Sequence, residues 1–247
     1  MWYRIKRFFY NLVHGSSSEP DNTREPEIPT SVDPLPEDNP ETETHEDIGE
    51  TPEKDTVDDG SGGAPDFHYL WDTCTIDSNV MGLAREYADQ IKKYKGRYIE
   101  VAKIIGCPWW FIGLLHYRES SLSFKGVLHN GEKILGTGKK TRLEPKHRGP
   151  FETWEEAAID VLKIKNYHKE TSWTIYECLV RAESFNGLGY RRKVGDTGRV
   201  EYSPYIWAGT NQHDETSKYV SDGKYDPRAK EGQLGIACIA KAFFLNI

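Results

Sequence analysis

This 247-residue chain has few of the features that announce a metal, a redox centre or a membrane span. Its four cysteines, Cys74, Cys107, Cys178 and Cys238, include no Cys-x-x-Cys pair and no zinc-ligand spacing, so neither a structural metal nor a cofactor is expected. Cys178 and Cys238 lie in apolar helical contexts that favour buried free thiols, although the sequence does not rank the possible pairings. The absence of an internal repeat excludes a solenoid or propeller. The opening segment MWYRIKRFFYNLVHG has an uncharged run from Phe8 far short of the ~20 residues that a spanning helix needs. It also lacks the apolar core and small-residue cleavage site of a secretory signal peptide. Residues 15–66 contain no aromatic side chain at all.

What is present is a sharp division of charge, hidden by a formal net value of −7. Residues 1–14 carry Arg4, Lys6 and Arg7 and no acid, whereas residues 15–66 hold 17 acidic and 2 basic residues. The remaining residues, 67–247, hold 22 acidic and 27 basic residues. The acidic, Pro-rich middle cannot bury enough apolar surface to offset its ordering entropy, and it is expected to be a disordered, extended tether. In residues 1–14, Trp2, Ile5, Phe8, Phe9, Leu12 and Val13 can line one helical face beside the three cations. Such a segment suits an interfacial membrane helix or a docking helix for a partner groove. Residues 67–247 suffice for one full domain, and its basic balance favours polyanions: cell-wall polymers, nucleic acid or anionic membrane.

The pattern within 67–247 is mostly helical with a small β component. Ser78 is placed to cap a helix with Val80, Leu83, Tyr87, Ile91 and Tyr94 at helical spacing, ended by Gly96. A second helix is expected from about Tyr98 to Ile105, stopped by Gly106. A third follows Pro108, which suits a first helical position. Asn130-Gly131 between short β-compatible runs predicts a two-residue hairpin. Residues 136–150 form a basic Gly-rich loop, and Thr153 with Glu156 is a capping box opening the next helix. A helix ending near Phe185, an aromatic loop from Tyr190 to Tyr225, and a last helix to about Phe244 complete the chain.

The run PWWFIGLLHYRESS, from Pro108 to Ser121, carries the most informative residue. Its apolar side chains cover most of the helix girth, and Glu119 stands at its end. Desolvation disfavours the charged form of a carboxyl group, so an acid delivered by a buried helix stays protonated nearer neutral pH. A protonated acid of that kind is what glycosidic bond cleavage requires as its general acid. The alternative is a surface glutamate paired with Arg118 or His116.

A second segment, ECLVRAESFNGLGYR, runs from Glu177 to Arg191. Its helical apolar face leads into Phe185-Asn186, with Gly187 placed to end the helix. Glu119-Ser120 after an apolar helix, then Ala182, Phe185, Asn186 and Gly187 with an approximate spacing after Ala182, resembles the lysozyme-like superfamily. In its lytic transglycosylases and phage lysins, a Glu-Ser motif carries the catalytic acid and an Ala-x-Tyr/Phe-Asn-x-Gly motif closes the sugar cleft. The stretches HYRESSLSFKGVLHNGE, PFETWEEAAIDVL, FNGLGYR, SPYIW and YVSDGKYDP resemble phage and bacterial lysozyme-like proteins of endolysin type, over residues 78–245.

The resemblance implies a lysozyme-like α+β domain over 67–247, acting on peptidoglycan at a host cell wall or periplasm, or from a virion. Glu119 is then the general acid, and Glu132, just after Asn130-Gly131, is the candidate second carboxylate, with Asp222 as the other choice. Transglycosylases dispense with that group, because the substrate's own acetamido or hydroxyl group attacks; the sequence leaves hydrolysis and anhydro-product formation open. His116 can tune the acid or bond a sugar, and His129 and Asn130 can contact an acetamido group. Phe185 and Asn186 are expected as cleft wall and acetamido contact, Tyr190 and Asn211 as hydroxyl partners, and Tyr205 and Trp207 as flanking subsites. A catalytically silent glycan-binding or structural module, tethered to a membrane or virion through residues 1–14, is the other expectation. The basic cluster Lys139, Lys140, Arg142, Lys146 and Arg148 comes with no reading helix or stacking motif, so nucleic acid is not an expected partner.

Overall fold

A computed structural model describes residues 65–188, 190, 202–213, 216–221 and 224–244. The segments expected over 1–14 and most of 15–66, and the Asp222 site, lie outside these residues. The described part is mostly helical. Its helices are α1 (Phe67–Asp72), α2 (Met81–Lys93), α3 (Lys95–Ile105), α4 (Trp109–Ser120), α5 (Trp154–Ile164), α6 (Ile175–Asn186), α7 (Pro204–Trp207) and α8 (Ile236–Phe244). A 3-10 turn at Tyr167–Lys169 follows α5, and strands β1 (Thr216–Ser221) and β2 (Lys224–Lys230) pair antiparallel before α8.

The centre of the fold is α4. Every residue from Phe111 to Glu119 is buried, as its apolar girth predicts. Helices α2, α3 and α8 pack around it, α5 lies against α3, and α7 bridges α6 and α8. Close approach at one point is set by Gly113: a Cβ there would stand 2.5 Å from Ile91 Cγ2 and 3.1 Å from Tyr98 Cε2. Pro108 is the N-cap of α4, in extended conformation, rather than its first helical residue.

Helix α2 buries a different stripe from the one its large residues suggest. Ala84, Ala88 and Ile91 face the core, while Leu83 is 42% exposed and Tyr87 packs at the rim on Tyr117. Small side chains let the helix axis come close to its neighbours, and bulky ones are displaced to the edge. Ser78 does not cap it: Val80 is the N-cap, and Asp77 accepts from Asn79 N instead. Gly96 lies inside α3 and ends nothing, whereas Gly106 ends α3 in the left-handed conformation.

The capping box at Thr153 and Glu156 is present, and a second one, Thr174 with Glu177, opens α6. The hairpin expected at Asn130-Gly131 is a turn without strands. The paired strands lie further on: β1 falls within the expected aromatic loop and β2 runs from its end toward the last helix, with Ser221 opposite Lys224 and Thr216 opposite Lys230. All four cysteines are free and buried, and burial pushes the Cys107, Cys178 and Cys238 thiols up to about 12.

Candidate active site

Glu119 occupies the last turn of α4 and is 8% exposed. The fully buried Tyr205, on α7, donates its hydroxyl to Glu119 Oε1 at 2.9 Å. Burial first, and the neighbouring Glu119 charge second, hold the Tyr205 hydroxyl well above its ordinary range, so it is a permanent donor. The Arg118 guanidinium lies 4.7 Å from the Tyr205 ring centroid. Arg118 also donates to Gln233 O at 3.2 Å and Leu234 O at 2.9 Å, and Tyr117 Oη accepts from Leu234 N. These bonds fix the end of α4 to the segment that leads into α8.

Lys165, just past α5, ties that helix to the end of α6. Its ammonium donates to Ser184 O and Phe185 O at the end of α6 and stands 5.2 Å from the Phe185 ring centroid. Burial holds its pKa below the ordinary lysine range, and the Glu119 charge partly opposes that shift. The carboxyl group therefore sits where two elements far apart in sequence meet, α4 and α7, and its charge is felt at Lys165, which holds the Phe185 end of α6.

The backbone leaves α4 through two successive non-glycine residues in the left-handed region, Ser121 (φ 51°) and Leu122 (φ 61°). Such residues cost of order 1–3 kcal/mol each and persist only where the surroundings over-determine them. Here Ser121 N donates to Tyr117 O, Leu122 N donates to His116 O, and the Leu122 side chain is buried. Ser120 Oγ bonds Ser123 O rather than orienting its neighbour's carboxyl group. The chain then returns to the same place through Gly131 (φ 77°), where a Cβ would lie 2.9 Å from the Glu119 carbonyl oxygen.

Glu132 follows directly, and its carboxylate is occupied. It accepts from Arg142 N at 3.0 Å and Leu143 N at 3.1 Å, and from Asn130 Nδ2 at 3.2 Å. Asn130 in turn bonds Leu143 O and Glu144 O. Beside them, Asp160 on α5 accepts from His129 Nε2 at 2.8 Å and from both forks of Arg148. Although burial works the other way, the Arg148 and His129 bonds hold the Asp160 carboxyl group below its ordinary range. This cluster pins the basic loop onto the domain.

Several residues expected to touch a sugar have other work. Phe185, Tyr190 and Trp207 are 1–2% exposed, and Trp207 packs on Phe67. They are core, with no surface for a ring to stack on. Tyr205 is buried as well, and its role is toward Glu119 rather than as a flanking subsite. His116 has no exposed surface; its Nδ1 pairs with Tyr98 Oη at 2.9 Å, and burial lowers its pKa to about 3, so it is neutral. His129 is sealed against Asp160, and Asn130 and Asn211 spend their amides on loop backbone. Asn186, half-buried at the end of α6, and the exposed Asn211 are expected contacts that retain surface. Lys165 and Asp160 are the residues sequence reasoning missed, and Lys165 carried no signal; Arg118 enters the sequence reading only as a surface partner of Glu119, whereas it is buried and holds the end of α4.

A cleft of about 520 Å³, lined by Arg97, Phe124, Lys133 and Glu152 among others, opens beside the turn after α4, but Glu119 does not line it. Among the described residues, no group of three His, Cys, Asp or Glu side chains is placed to hold a metal ion. No protein-family model, curated protein or solved structure matches the chain.

Proposed function

We propose that this chain is a peptidoglycan-cleaving glycosidase of lysozyme-like type, an endolysin or virion-associated lysin with Glu119 as its general acid. The observation that carries the reading is the Glu119 carboxyl group itself: delivered by the most buried helix, nearly out of water, and held by the Tyr205 hydroxyl. In this role Glu119 gives its proton to the glycosidic oxygen as the bond to the anomeric carbon breaks. Tyr205 and Arg118 are positioning residues, fixing the carboxyl group and the helix end that bears it. The Asn186 amide is the acetamido contact.

The binding of Glu132 to loop amides favours a route with one carboxylate. The substrate's acetamido oxygen then attacks the anomeric carbon, and the Glu119 carboxylate removes a proton from a sugar hydroxyl to close an anhydro product. Mass spectrometry of purified peptidoglycan after incubation with the full chain tests both levels. Muropeptides released by wild type and not by Glu119→Gln support the glycosidase, and anhydro masses support the single-carboxylate route. Reducing ends point to a water nucleophile instead. Glycan binding without release by either protein replaces the enzyme with a silent lysozyme-like binding module.

A further inference from the structure

The end of the domain away from the Glu119 carboxyl group presents a combination that catalysis does not use. Trp109 and Trp110 open α4, and Phe243 and Phe244 close α8. The four rings form one cluster: Trp109 with Phe243 at 5.5 Å, Trp110 with Phe244 at 5.0 Å, and Phe243 with Phe244 at 5.2 Å. Phe244 is 45% exposed and the two tryptophans are half-buried. The corner between α2 and α3 lies over this cluster, and it reads Lys92-Lys93-Tyr94-Lys95-Gly96-Arg97. The Lys92 ammonium stands 5.2 Å from the Phe243 ring centroid, and Lys95 stands 5.3 Å from that of Trp109. Lys92, Lys93 and Lys95 are exposed; Asp89 shares Lys92 through an exposed ion pair, and Arg97 is committed to Glu155. An exposed pair of that kind is worth little and gives way readily to another anion.

We propose that this corner is a second membrane-contact surface, on which the folded domain docks to an anionic bilayer. The chemistry matches an interface at two depths. Ammonium groups meet lipid phosphates at headgroup level, and tryptophan and phenylalanine rings enter the boundary with the acyl chains. A purely apolar partner leaves the lysines unmatched, and a purely acidic polymer, such as the chain's own aromatic-free acidic segment, leaves the rings unmatched. Among the described residues no single helix is long and apolar enough to cross a membrane. The contact presents the domain by its α2–α3 corner and is independent of whether Glu119 is catalytic.

The test is flotation of the full chain with vesicles of mixed phosphatidylglycerol and phosphatidylcholine, against vesicles of phosphatidylcholine alone. Two variants are compared, Lys92→Glu/Lys93→Glu/Lys95→Glu and Trp110→Ser/Phe244→Ser, with thermal unfolding to confirm that each folds. Both are also made in a chain carrying Arg4→Glu/Lys6→Glu/Arg7→Glu, which separates this surface from residues 1–14. Each is expected to lower partition onto anionic vesicles by about tenfold or more in both backgrounds. Unchanged partition in either variant overturns the proposal. If only the lysine variant loses binding, and loses binding to polyglutamate equally, the corner is a general polyanion contact and not a membrane surface.

Discussion

Two carboxylates in this fold share nearly the same burial, Glu119 at 8% and Glu132 at 9%, and they are held in opposite ways. Glu119 ends a rigid helix and meets the hydroxyl of a buried tyrosine from a distant element. Glu132 sits in a turn and gathers the backbone amides of a loop ten residues on. Both are hydrogen-bonded, as buried polar groups must be. The difference lies in what each one's removal would release. Behind Glu119 stands a packed core that holds its shape regardless. Behind Glu132 stands a loop with little core of its own, ordered by the groups that converge on it. Burial alone does not mark a catalytic acid; the partners do.

The sharpest way to break that comparison is to exchange each acid for its amide. Glu119→Gln keeps an acceptor for Tyr205, so stability is expected to stay within about 1 kcal/mol of wild type by denaturant titration. Wall lysis is expected to fall about 10²–10⁴-fold, the usual contribution of a general acid. A variant that still lyses walls at the wild-type rate removes Glu119 from the chemistry. Glu132→Gln presents an amide N–H to backbone N–H donors, and it is expected to cost about 2–3 kcal/mol of stability. Limited proteolysis should then cut within 136–150 before the rest of the domain. Equal stability in both variants would show the loop to be held by other means.

How much of this could be read from sequence follows the same division. The burial of α4, the position of Glu119 and the Thr153 capping box depend on local spacing, and local spacing is visible. The Thr174 box is equally visible in Thr-x-x-Glu. Asn130-Gly131 marks a turn, closed by Gly131 N on Val127 O and Val127 N on Glu132 O, but the bonding stops there and no strand ladder flanks it. The aromatic run from Tyr190 onward misled for another reason. Aromatic side chains serve a sugar cleft or a core equally well, and only the tertiary packing decided that Phe185, Tyr205 and Trp207 are core. Lys165 reaches the site through packing of α5 on its neighbours, a contact with no sequence period.

A pH titration sharpens the comparison further, because the histidines divide between the two regions. His116 lies behind Glu119, and burial lowers its pKa to about 3. His129 lies behind Glu132, and burial lowers its pKa too, against the pull of Asp160. Both are therefore neutral in the fold. Below about pH 6.5 the unfolded chain takes up protons that the folded chain refuses, so stability must fall as pH drops from there toward 3. Asp160 acts at the acid end: its folded pKa is lowered, so its contribution is present above about pH 4 and is lost below. The unfolding free energy from denaturant titration is expected to drop with acid at a slope of up to about 1.4 kcal/mol per pH unit for each proton. His116→Gln, which keeps an acceptor for Tyr98, should flatten that slope by up to one proton's worth. An unchanged slope would place the acid sensitivity elsewhere.

The smallest effect asks whether the loop region is scaffold alone. Thr153 Oγ1 accepts from Glu156 N at 3.2 Å, and Glu156 returns the bond to Thr153 N at 3.3 Å. This box begins α5, and α5 carries Asp160, which holds His129 and Arg148. Thr153→Ala removes one reciprocal bond at the helix start and is expected to cost about 1 kcal/mol. The loss should fall on global stability and on protection of residues 141–148 in hydrogen exchange, because the helix that anchors them frays from that end. Thr153→Ser should restore both. Wall lysis per folded molecule should not move, since the bonds this helix start supports are those of Asp160 and not that of Tyr205 on Glu119. A fall in lysis that tracks the loosening of this loop would mean that the loop joins the bound glycan. The two carboxylates would then be parts of one site rather than an acid and a staple.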